Sequence, residues 1–144
     1  MEAVAAERSR ATEELDEAGE QFELDVSLDE PTEAGPLSQV SREMVRLYRE
    51  VFGRGPTKAH SEFAGPDTLI CTLEESMTPA ERNRVAKGEQ ERMQYVRMLF
   101  RHSTDSRFRS AVEEIFGRKV RSFAGSIDVE QDISSEIFYF EPRT

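Results

Sequence analysis

Few side chains in this chain are equipped for covalent or metal chemistry. A single cysteine, Cys71, and two histidines, His60 and His102, are the only thiol and imidazole groups. A thiol becomes a useful nucleophile when an imidazole lies within hydrogen-bond reach, so the test is whether Cys71 and His60 share a face. They lie in two short alternating runs flanking Gly65-Pro66-Asp67. A three-residue loop there sets Ala64 opposite Thr68, and the pairs continue outward as Phe63–Leu69, Ser61–Cys71 and Ala59–Leu73. Side chains alternate along a strand. Ala59, Ser61, Phe63, Leu69, Cys71 and Leu73 therefore share a largely apolar core face, whereas Lys58, His60, Glu62, Thr68, Ile70 and Thr72 share the other. The geometry rejects a thiol–imidazole pair and makes Cys71 a small core residue. His102 falls near a helix end, where an imidazolium suits the helix dipole. Two histidines and one cysteine in separate elements form no metal-ligand cluster. The many carboxylates define no shared pocket, so neither an enzyme nor a cofactor is expected.

The segment Gly53-Arg54-Gly55-Pro56-Thr57-Lys58 has the composition of a phosphate-binding loop but the wrong context. It follows a helix and opens a strand, and Pro56 lacks an N–H. What remains is a modest anion site from Arg54, Thr57, Lys58 and His60, set against an ordinary turn with solvated charges. The stretch 79–101 adds Arg82, Arg84, Lys87, Arg92, Arg97 and Arg101, a basic helix able to meet a small anion or nucleic acid. Glu81, Glu89 and Glu91 are interspersed, which weakens steering toward phosphates.

Charge divides the chain sharply. Residues 1–35 hold 12 acidic and 2 basic side chains, and residues 36–144 hold 17 of each, so the whole net charge of −10 sits in the first segment. Residues 1–35 are poor in large apolar groups and are expected to be a disordered acidic arm. Residues 36–144 are long enough for one domain. A lone cysteine fits a reducing compartment. The N-terminus shows no basic-then-apolar leader, and no apolar run approaches the ~20 residues that cross a bilayer. A soluble cytoplasmic protein is the expectation.

Three helices and two hairpins account for residues 36–144. Val40, Met44, Leu47, Tyr48, Val51 and Phe52 recur at helical spacing from about Ser38 to Phe52, with Gly53 as the left-handed cap. Thr78-Pro79-Ala80-Glu81 is a capping box with proline at the first helical position. The helix it opens is polar at first and then packs through Met93, Val96, Leu99 and Phe100. Gly88 inside it costs ~1 kcal/mol relative to Ala, which a close helix approach would justify. Ser103 to Ser106 break the pattern. A third helix carries Phe108, Ala111, Val112, Ile115 and Phe116 and ends on Gly117. Strands follow over Lys119 to Ile127 and Ser134 to Phe140, and the apolar run Ile137 to Phe140 marks a strand that is either central or covered by another chain. The predicted fold class is α+β, an antiparallel four-stranded sheet with three helices over one face, in the order α-β-β-α-α-β-β. The opposite face, or the long helix, is the expected surface for a homodimer.

Four features together give a family resemblance. They are Gly53-x-Gly55-Pro56 after a first helix, Thr78-Pro79-Ala80-Glu81 after a hairpin, Gly117-x-x-Val120 after a short helix, and the apolar ending Ile137-Phe138-Tyr139-Phe140. Over about Leu37 to Phe140 the chain resembles a bacterial family of uncharacterised domains named for MpsC, a component of a sodium-translocating, membrane-potential-generating system. The acidic pair Glu74-Glu75 and the arm depart from its pattern. The resemblance implies an accessory subunit near a transport or bioenergetic system and brings no catalytic residues. The expected function is a non-enzymatic adaptor acting by protein–protein contact. The alternative is a regulatory domain that binds a small anion or nucleic acid.

Overall fold

The computed structural model describes residues 35–143. The expected acidic arm, apart from Gly35, lies outside them. Helix α1 spans Pro36–Phe52, with Pro36 at its first position and Gly53 closing it at φ +81°. Strands β1 (Lys58–Phe63) and β2 (Thr68–Glu74) form the first hairpin. Their register is Ala59↔Leu73, Ser61↔Cys71 and Phe63↔Leu69, as the alternation requires. Helices α2 (Pro79–Ala86), α3 (Gln90–Ser103) and α4 (Asp105–Phe116) follow, then β3 (Val120–Asp128) and β4 (Ile133–Phe140). The sheet is antiparallel with strand order β1-β2-β4-β3. The link from β2 to β3 therefore passes through three helices and leaves β4 in the interior of the sheet. That position explains the unbroken apolar run at the end of β4, which has a neighbour strand on each side.

The helix count corrects the three-helix reading. The expected long helix from Pro79 to Arg101 is two, broken between Ala86 and Gln90. Gly88 adopts φ +91°, and a Cβ there would meet nothing within 4 Å. Its role is to supply a left-handed turn rather than to admit a neighbouring helix. Backbone N–H groups of Lys87, Gly88 and Glu89 bond back to carbonyls of α2 and end it. The low apolar content of 80–91 gave that turn no packing to oppose it. At the other end, Thr104 alone separates α3 from α4.

Side chains from α1, α3 and α4 meet one face of the sheet. The larger core joins Val40, Met44, Leu47 and Tyr48 of α1 with Leu69, Leu73, Phe108, Val112, Phe138 and Phe140. A smaller cluster joins Met77, Met93, Ile127 and Val129. His60 and Glu62 on the opposite face are exposed, and Ile70 and Ile137 are half-buried.

Candidate functional site

The inner face of the sheet is built in transverse rows. One row reads Phe63–Leu69–Phe138–Phe123 and another Ala59–Leu73–Ser134–Ile127. Between them runs Ser61–Cys71–Glu136–Gly125, a polar row through the middle of an apolar core. The helices answer it. Ser41 of α1 bonds Ser61 through their hydroxyls at 2.7 Å, and Ser61 bonds the Cys71 thiol at 3.3 Å. Glu136 is fully buried, and its Oε2 accepts from the Tyr48 hydroxyl of α1 and from both terminal nitrogens of Arg101 on α3, at 3.1 and 2.8 Å. Arg101 also donates to the Ser135 carbonyl.

Two polar atoms in this cluster, Glu136 Oε1 and Arg101 Nε, are buried without a hydrogen-bond partner. Gly125 makes the approach of Arg101 feasible. A Cβ there would stand 2.4 Å from the Ser135 carbonyl and 2.7 Å from an Arg101 nitrogen. Burial pushes the Glu136 carboxyl up to about 7, even though Arg101 and the Tyr48 hydroxyl favour its ionised form. Burial also pushes the Cys71 thiol up to about 12 and the Tyr48 hydroxyl well above its usual value. Burial thus favours the protonated thiol at Cys71, and His60 lies on the other face of the hairpin. Among the described residues no cluster of His, Cys, Asp and Glu converges as a metal site.

A second buried arginine anchors the other end of α3. Arg97 is 3 % exposed and donates to Glu81 at 3.1 and 2.8 Å and to the Ser76 carbonyl. Its guanidinium lies 3.9 Å from the Phe52 ring centroid. Burial works against ionisation of Glu81, but hydrogen bonds from Arg97 and the Thr78 N–H outweigh it and hold the carboxyl below its usual value. The same Glu81 completes the capping box at the start of α2. Helix α3 is thus fixed through Met93 and two guanidinium groups. Its opposite side carries exposed Tyr95, Met98 and Leu99, with Phe100 half-exposed against Phe52. The expected packing of Leu99 and Phe100 is corrected here: the helix is turned so that Arg97 and Arg101 point inward.

The residues singled out as an anion or nucleic-acid site fall in three places. Arg54, Thr57 and Arg82 gather around the loop after β2. Arg54 donates to the Glu75 carbonyl, Thr57 to the Glu75 carboxylate, and Arg82 to Asp132 at 3.3 Å. Asp132, at φ +58°, also accepts from the Ser76 and Met77 N–H groups. Lys58 and His60 project from the open face of β1, with His60 3.1 Å from Glu62. Arg84 pairs with Glu89 at 2.9 Å. Each guanidinium here already has an oxygen partner, and the break at Gly88 divides the basic stretch. The sequence reading missed Glu136, Arg97 and Arg101 as a set. The signals were present: counting back by two from Phe138 puts Glu136 inside, and Met93, Arg97 and Arg101 are spaced by four.

The chain is thus an α+β domain whose buried charges join helix to sheet and whose α3 shows an apolar outer face. The family model described as "Na+-translocating membrane potential-generating system (MpsC)" matches residues 36–142. The chain belongs to this MpsC family. Neither a curated protein nor a solved structure matches it. No helix of the described residues is long and apolar enough to cross a membrane.

Proposed function

We propose that this protein is a non-enzymatic accessory subunit that acts by protein–protein contact within a sodium-translocating, membrane-potential-generating system, and that it self-associates. The family match supports the choice of system. The observation that carries the reading is the exposed apolar side of α3: Tyr95 is 65 % and Leu99 52 % exposed on a helix whose inward side is held by ion pairs. Large apolar side chains gathered on one exposed face mark contact surfaces. Three buried or part-buried groups with shifted proton affinity, Glu136, Glu81 and Tyr48, support the same reading, because they serve the fold. Glu136 and Glu81 hold α3, and Tyr48 holds Glu136.

Affinity capture of the full chain from native membranes, solubilised in mild detergent, tests the proposal. Subunits of an ion-transport complex should be enriched over an untagged control, and deletion should lower the sodium-dependent membrane potential. A chain recovered with no membrane protein and with the potential intact would remove this assignment.

A further inference from the structure

The outward side of α3 is self-complementary. Successive residues advance by about 100° around a helix. The inward direction is set by Met93 and Arg97, both buried, with Arg101 beside them. Directly opposite lie Glu91, Tyr95, Met98, Leu99 and His102, spaced by three and four residues, and each is exposed. This stripe has an acid at its N-terminal end, an imidazole at its C-terminal end and an apolar centre.

That order discriminates between arrangements. Two copies packed parallel set Glu91 against Glu91 and His102 against His102. Packed antiparallel about a two-fold axis near the middle of α3, Glu91 of each copy meets His102 of the other, and Tyr95 meets Met98 and Leu99. An imidazole N–H can donate to a carboxylate in either charge state, and like charges face each other nowhere along the seam. A two-fold contact uses one patch twice, so it requires this self-complementarity.

We propose that α3 is the seam of a homodimer, with two copies packed antiparallel through Tyr95, Met98 and Leu99 and tied at both ends by Glu91–His102 contacts. The inference rests on the protein-contact reading and gives it a surface and a second copy of this chain as occupant. A single pair of helices lies at the small end of stable interfaces, so a dissociation constant on the order of 1–100 μM is expected.

Sedimentation equilibrium of the full chain up to about 500 μM provides the test, with circular dichroism confirming that each variant is folded. A monomer–dimer equilibrium is expected, and Tyr95→Glu or Leu99→Glu should raise its dissociation constant at least tenfold. Glu91→Lys should weaken the dimer severalfold, and so should His102→Glu. The double variant Glu91→Lys with His102→Glu should restore it. A wild-type monomer throughout, a dimer indifferent to Tyr95→Glu, or a charge swap without rescue would each overturn the proposal. A dimer that persists in Tyr95→Glu rejects this seam yet leaves self-association standing, and the membrane capture experiment judges the accessory role separately.

Discussion

Helices α1 and α3 both lie on the inner face of the sheet, and they are held there by different physics. Helix α1 buries Val40, Met44, Val45, Leu47 and Tyr48 in the large core, with its arginines on the outside. Helix α3 buries only Met93 and Arg97, with Arg101 reaching Glu136. Tyr95, Met98 and Leu99 face outward instead. Apolar burial is tolerant of small displacements because it has no preferred direction. A guanidinium–carboxylate pair in the interior has a fixed geometry and a large desolvation cost, which its hydrogen bonds must offset. Helix α3 is positioned largely by charge, and that orientation leaves Tyr95, Met98 and Leu99 exposed.

The largest effect should come from breaking the charge anchor. Glu136→Leu leaves Arg101 largely buried without its carboxylate partner and should cost about 3–5 kcal/mol in urea unfolding. Adding Arg101→Met should recover most of that, since no charge is then stranded. Met44→Ala in the α1 core should cost about 2–5 kcal/mol, and Arg101→Met should do nothing to repair it. If Glu136→Leu proves neutral, the contrast between the two helices collapses.

The pH dependence sharpens the same contrast. The folded-state value of Glu136 is raised to about 7 from an ordinary 4.5, so the native state binds the extra proton between those values. Its contribution to stability is full below about 4.5 and is lost as pH rises through about 7. Glu81 runs the other way. Its lowered value contributes stability above its ordinary pKa, lost as pH falls through the folded value. Wild type should therefore gain stability from pH 8 to 5.5, and Glu136→Gln should flatten that gain. An equal slope in both proteins would show that other groups govern this range.

Smaller effects probe the supports. Gly125→Ala places a methyl group against the Ser135 carbonyl and Arg101. It should cost about 1–3 kcal/mol by overpacking, with hydrogen exchange rising first in α3. A loss shared evenly by α1 and α3 would argue against a local role. Thr78→Ala removes the cap of α2 and should cost about 1 kcal/mol. Because Glu81 serves both cap and Arg97, a melting curve altered by less than the error of measurement would disprove their coupling.

Much of this structure was legible in the residues. The first hairpin register followed from alternation, and α1 from its apolar stripe and Gly53. For β4, the run Ile137 to Phe140 narrowed the choice to an inner strand or one covered by another chain, and the sheet order gives the first. The rest failed for identifiable reasons. Leu99 and Phe100 were assigned to the core because apolar character usually reports burial, and here two inward arginines rotated the helix. Gly88 was placed within a helix because its left-handed φ leaves no mark in helical spacing. Glu136 stood beside a strongly apolar run that dominated the reading of its strand.

By itself the chain determined most of its elements, their pairing in the first hairpin and the inward faces of α1, β1, β2 and α4, because spacing and turn residues act over a few positions. Tertiary structure alone decided that Glu136, Tyr48 and Arg101, from three separate elements, converge in the interior. It also decided which side of α3 faces solvent. Those outcomes depend on the desolvation of charges brought together from 35 to 88 positions apart, and no local pattern encodes that energy.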